Sequence, residues 1–182
     1  MKHLTETWWK KCLEDKEKLE HWLVGLYNNE KDAEERFVNF ANTYCKNDIE
    51  SFNTFLKIAE QERAHAQLVD LILKIRGIEK YEKSSKDGRY WRNTLSCICD
   101  IKTAAAIGAY AEGLSLKRMR VIIKDKNTPI DLKSLFEIIE PEEAYHAKSL
   151  ERIATKYGMK SVKDCHDKGL EDLGLKIIES NK

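Results

Sequence analysis

The chain has 182 residues, 42% of them hydrophobic and 35% charged, with 32 basic against 31 acidic side chains and a formal net charge of +1. That length can build one domain with a sizeable core, expected over residues 1–182, and the balanced charge gives no reason to expect nucleic acid or an anionic membrane as a partner. No apolar run reaches the roughly 18 residues of a membrane span and Met1-Lys2-His3-Leu4-Thr5-Glu6 has no signal-peptide core, so no membrane contact and a cytoplasmic location are expected.

With two prolines and eight glycines, helices can run long and an all-α fold is expected. Residues 4 to about 46 have helical periodicity, with room for one early break. Trp8, Trp9 and Cys12 form an apolar start, a charged run follows from Glu14 to Glu20, and Leu19, Trp22, Leu23, Leu26, Glu30, Phe37, Ala41 and Tyr44 then share one face. Glu34 lies on that face too, one turn after Glu30, whereas Glu35 points about 100° away toward solvent. A second helix, about 49–76, carries Phe52, Phe55, Ala59, Glu62, Ala66, Val69 and Leu73 in one stripe with His65 beside it.

Gly77 to about Asn93 is polar and rich in turn formers, and reads as one long connection. Tyr90, Trp91 and Arg92 at its end either cap the helices or line an entrance, with capping the expected role. A third helix, about 95–124, places Ile101, Ala105, Gly108, Glu112, Met119 and Ile123 on one face. The small residues Ala104 to Ala106, Gly108 and Ala109 either leave a cavity or let two helices approach closely; close approach is the expectation.

The fourth helix has the clearest seam: Leu132, Leu135, Ile139, Glu143, His146, Leu150, Ile153 and Tyr157. Pro141 predicts a local irregularity beside Glu143, and Gly158 a stop. Val162, Cys165, Leu170, Leu173, Ile177 and Ile178 predict a short fifth helix. The five cysteines include no Cys-x-x-Cys; free thiols are expected, with metal binding or redox sensing by Cys97-x-Cys99 as the alternative. His3, His21 and His166 have no carboxylate partner of the kind that His65 has and are assigned no role.

The chemistry lies in an internal correspondence. Glu62-x-x-His65 and Glu143-x-x-His146 each put a carboxylate and an imidazole on one helix face. Glu30 precedes Glu62 by 32 residues and Glu112 precedes Glu143 by 31. In antiparallel hairpins those pairs meet at one height if the turns centre near residues 46 and 127–128. The sequence there, Cys45-Lys46-Asn47-Asp48 and Lys126-Asn127-Thr128-Pro129, breaks helices, with Asp48 and Asp131 available as N-caps. Four carboxylates and two imidazoles then converge, a donor set that suits a pair of iron or manganese ions. Glu34 is a rival to Glu30, since its hairpin would centre on residue 48.

These residues resemble the ferritin-like superfamily and, within it, the bundle domain of rubrerythrins. The likeness spans roughly residues 20–155 and is strongest over Phe55-Leu56-Lys57-Ile58-Ala59-Glu60-Gln61-Glu62-Arg63-Ala64-His65-Ala66, with Glu30, Ala33, Arg36, Phe37, Phe40 and Ala41 fitting the first-helix pattern and favouring Glu30. It implies a ferritin-like four-helix bundle with one long crossover, and a metal set of Glu30, Glu62, His65, Glu112, Glu143 and His146 holding two Fe ions, or Mn in place of one or both. Glu62 and Glu143 would bridge. It also implies an oxidoreductase acting on O2 or peroxide, an organic substrate if it is an oxygenase, and a homodimer. The chain departs from the family in two respects. It has no rubredoxin module, so an external electron donor is expected. Ser115 also stands where rubrerythrins tend to have a further glutamate, which bears on peroxidase activity and not on the metal site. Ferroxidase activity with iron storage, and a non-catalytic bundle, are the alternatives.

Overall fold

The computed structural model describes residues 2–81 and 89–175. The central part of the polar connection, from Glu82 to Gly88, the side chain of His3, and Ile177 and Ile178 of the expected fifth helix lie outside the described residues. Within them the fold is all-α: α1 (Lys2–Glu14), α2 (Lys16–Tyr44), α3 (Ile49–Ile75), α4 (Arg89–Thr94), a 3-10 turn (Leu95–Cys97), α5 (Ile101–Lys124), α6 (Ile130–Ser161) and α7 (Lys163–Asp172). No helix among them is long and apolar enough to cross a membrane.

Each boundary has a local cause. Asp15 makes the early break, accepting from the backbone N–H of Lys18 as N-cap of α2. Asp48 caps α3 in the same way through Ser51. Gly77, at φ +65°, closes α3, with Ile78 N–H donating to the Leu73 carbonyl, the left-handed ending that glycine tolerates. The third long helix begins at Ile101 and not near residue 95, because Asp100 and Thr103 form a reciprocal capping box. Asp131 is not an N-cap: it lies in the first turn of α6 and takes a bidentate ion pair from Arg76, at 2.7 and 2.8 Å.

Helices α2 with α3 and α5 with α6 form two hairpins. The Arg76–Asp131 pair joins the end of α3 to the start of α6, while the Tyr44 hydroxyl donates to the Ile98 carbonyl at the opposite end. The end of α3 and the start of α5 therefore lie at opposite ends of the hairpins. Two apolar cores result, one around Phe37, Phe55, Ile107 and Leu150, the other around Leu23, Leu73, Met119 and Ile139. The paired Glu-x-x-His segments lie between them.

Three expectations are corrected. Helix α6 runs through Pro141 without a break, since Pro141 is on its exposed side and water can serve the carbonyl that proline leaves unpaired; the irregular residue is Thr155, at φ 57° and ψ 174°. Gly158 is not the stop: the helix is interrupted earlier, at Thr155, and a second helical run carries Gly158 on to Ser161; a Cβ there would stand 2.6 Å from the Lys102 carbonyl oxygen, so glycine serves the close approach of α5 to α6. Cys97 and Cys165 are not free thiols but a disulfide, joining the 3-10 turn to α7, while Cys12, Cys45 and Cys99 are free. The small residues of α5 do allow close approach: a Cβ on Gly108 would come within 3.0 Å of Leu150 and 3.4 Å of Phe37.

Candidate metal centre

Helix periodicity puts Glu30, Glu62, His65, Glu112, Glu143 and His146 on inward faces at one height. All six are buried, the most exposed being Glu112 at 7%. They form two overlapping groups, Glu30, Glu62, His65 and Glu143, and Glu62, Glu112, Glu143 and His146, in each of which one ligand atom per residue lies within 4.8 Å of the others. Glu62 and Glu143 belong to both. Glu34, the rival, is half-buried and faces Arg63 at 3.8 Å instead.

His65 Nδ1 points at three carboxylates: Glu143 at 3.4 Å, Glu30 at 3.8 Å and Glu62 at 3.8 Å. His146 Nδ1 stands 3.0 Å from Glu62 Oε1 without the alignment of a hydrogen bond. On the far side of each ring the partners are ordered. His65 Nε2 meets Glu142 Oε2 at 2.8 Å and His146 Nε2 meets Gln61 Oε1 at 3.1 Å. Those oxygens only accept, so both Nε2 atoms carry the proton, which leaves both Nδ1 atoms for the cluster. The residue before each motif glutamate thus orients the histidine of the other motif, a cross-helix relation that helix periodicity does not show.

The chain matches no protein-family model, no curated protein and no solved structure. What the site can do rests on its own chemistry.

Burial pushes Glu62 and Glu112 well above the ordinary carboxylate range, reinforced by Glu112 and Glu30 for the first and by Glu143 for the second. Burial likewise raises Glu143 to about 7. The histidines diverge. Burial favours neutral His65, yet the carboxylates of Glu143, Glu30 and Glu62 around its Nδ1 outweigh this and raise its proton affinity. Burial and the nearby positive charges of His65 and Lys57 hold His146 down to about 3. Glu62 Oε1, Glu143 Oε2 and both Nδ1 atoms have no hydrogen-bond partner. Buried polar atoms left unpaired are costly, and these four all belong to the convergent groups. A cation there would satisfy them together, so the groups can hold a metal ion.

Beside the centre is a cavity of about 160 Å³ between α2 and α5, walled in part by Glu30, Glu62, Glu112 and Glu143 themselves. Tyr90 and Trp91 line it, so they wall the cavity and do not only cap the helices. Arg36 stacks on Trp91 at 3.8 Å, and its charge faces Asp32, Glu112, Glu62 and Glu30. His166 is also not idle: it is buried, bonded to the Tyr90 hydroxyl at 2.8 Å and stacked on Tyr110 at 4.0 Å. His21 pairs with the Tyr81 hydroxyl.

Proposed function

We propose that this chain is a di-metal carboxylate oxidoreductase of ferritin-like architecture, resembling the rubrerythrin bundle domain, that acts on O2 or peroxide or uses them to oxidise an organic substrate. The observation that carries the reading is the pair of overlapping four-donor groups sharing Glu62 and Glu143. Two ions held this way, iron or with manganese in place of one or both, supply two-electron reduction of O2 or peroxide.

The shared glutamates suit bridging positions, with Glu30 and His65 completing one group and Glu112 and His146 the other. Glu142 and Gln61 hold the Nε2 protons and fix both rings with Nδ1 inward. The apolar cores above and below keep bulk water from the cluster, while the cavity between α2 and α5 admits a small molecule. Electrons would come from an external donor, and a homodimer is the assembly the resemblance implies.

The test is metal analysis of the purified chain beside a Glu62→Ala, His146→Ala double variant, followed by peroxide or oxygen consumption by the reduced, iron-loaded protein. About two ions per chain, absent from the variant, with consumption that depends on bound iron, is the expected result. A native chain that takes up no metal on reconstitution would sink the reading. Particle mass separates catalysis from iron storage, which needs a shell of many subunits.

A further inference from the structure

The cavity beside the candidate centre has a chemical character of its own. On α5 its wall runs from Glu112 through Ser115 to Arg118, Met119 and Ile122, a rise of about 9 Å between Glu112 and Arg118 at 1.5 Å per residue. Trp22, Leu26 and Phe136 supply apolar wall opposite the Arg118 end. One end is therefore carboxylate-rich, and Arg118 lies about two turns away from the acids among apolar wall.

The two arginines of this cavity differ. Arg36 is balanced by Asp32 and the cluster carboxylates and stacks on Trp91. Arg118 has no carboxylate within ion-pair distance among the described residues. Its recorded neighbours are the Trp8 ring, at 5.7 Å, and the buried Cys12 thiol. Arg118 is half-buried, and the partial loss of water around it lowers its proton affinity. A half-buried guanidinium with no carboxylate beside it keeps its planar pair of N–H donors open to a ligand, and that fork matches a carboxylate. A cavity of about 160 Å³ is close to the roughly 150 Å³ that takes up one benzene, which sets the ligand at roughly six to eight non-hydrogen atoms.

We propose that this cavity binds a small organic monoanion, its carboxylate held by Arg118 and its apolar body lying along α5 with the far end against Glu112 and Glu62. The site deepens the di-metal reading by naming a substrate class, and it rests on that reading only for what happens at the far end. Arg118 is then the residue that selects the anion, and the walls of Trp22 and Phe136 select an apolar body.

The experiment uses the full chain loaded with zinc, which is redox-silent, and titrates hexanoate and its neutral analogue hexanamide while following tryptophan fluorescence, since Trp22 and Trp91 line the cavity. Saturable hexanoate binding is expected, with hexanamide weaker by about tenfold or more. Arg118→Gln should weaken hexanoate by about tenfold or more and leave hexanamide within about twofold. Arg118→Lys should fall between, and Ser115→Leu should abolish both by filling the cavity, so the proposal stays testable if one variant folds poorly. Hexanoate bound equally by wild type and Arg118→Gln would mean that the carboxylate goes to the metal ions, and overturns the proposal; so does the absence of saturable binding in a chain that has taken up zinc. A chain that takes up no zinc but still binds hexanoate through Arg118 overturns the di-metal reading and leaves this one standing.

Discussion

At the residue scale the centre is nearly two-fold in geometry but unequal in charge. His65 is held by the carboxylate of Glu142 and His146 by the amide of Gln61, at 2.8 and 3.1 Å. Burial works against ionised Glu142, but bonds with Gln61 and His65 outweigh it and keep its carboxyl below the ordinary range. An ionised partner makes an imidazole a stronger donor than a neutral amide does. Glu142→Gln should therefore weaken metal binding on the His65 side by about tenfold or more and leave the His146 side unchanged, seen as one of two steps shifting in a cobalt(II) titration. Loss of both steps together, or of neither, would contradict the assignment. Glu62, His65, Glu143 and His146 are legible in sequence because carboxylate and imidazole share a helix face, and Glu112 because its distance ahead of Glu143 matches a hairpin. Gln61 and Glu142 are not, because each acts on the opposite helix, and their reach depends on how two hairpins are aligned.

At the element scale, α5 and α6 owe their closeness to residues without bulk. Gly108 packs under Leu150 and Phe37, and Gly158 faces the Lys102 backbone. A methyl group at Gly158 would meet a carbonyl that belongs to the first turn of α5 and cannot rotate away as a side chain could. Gly158→Ala should cost about 1–3 kcal/mol, read as a lower urea midpoint at unchanged m-value; wild-type stability in that variant would show that the two helices are not held as described. The sequence marks Gly158 only as a helix breaker, since close approach to a residue 56 positions earlier has no periodic signature. Pro141 misleads for a related reason: whether a proline interrupts a helix depends on which side it faces, and here it faces out.

At the scale of the whole molecule, the buried cluster ties stability to pH and to metal. The folded value of Glu143, near 7, lies above its ordinary 4.5, so the stability that it contributes is complete below about pH 4.5 and lost as pH rises through 7. Glu62, Glu112 and His65, all raised, act in the same direction. His146 and His166, lowered to about 3 and about 4, act oppositely but only below their ordinary 6.5. The metal-free chain should therefore melt at a lower temperature at pH 8 than at pH 6.5, by on the order of 1–3 kcal/mol of stability. A divalent metal needs its ligands deprotonated and should reverse the trend. Thermal melts with chelator and with zinc at the two pH values make the comparison; a metal-free melting temperature that rises over this range would contradict the buried-carboxylate account.

The sequence by itself determined that the chain is helical, where its long helices run to within a few residues at most ends, and that Glu62, His65, Glu112, Glu143 and His146 face inward, because each of these follows from spacing along one helix. Tertiary structure alone decided the rest. It chose Glu30 over Glu34, joined Cys97 to Cys165, set Glu142 and Gln61 against the opposite histidines, and left Arg118 with no carboxylate within ion-pair distance among the described residues. Each of those depends on the register and separation of different helices, which packing sets and no period of 3.6 residues contains.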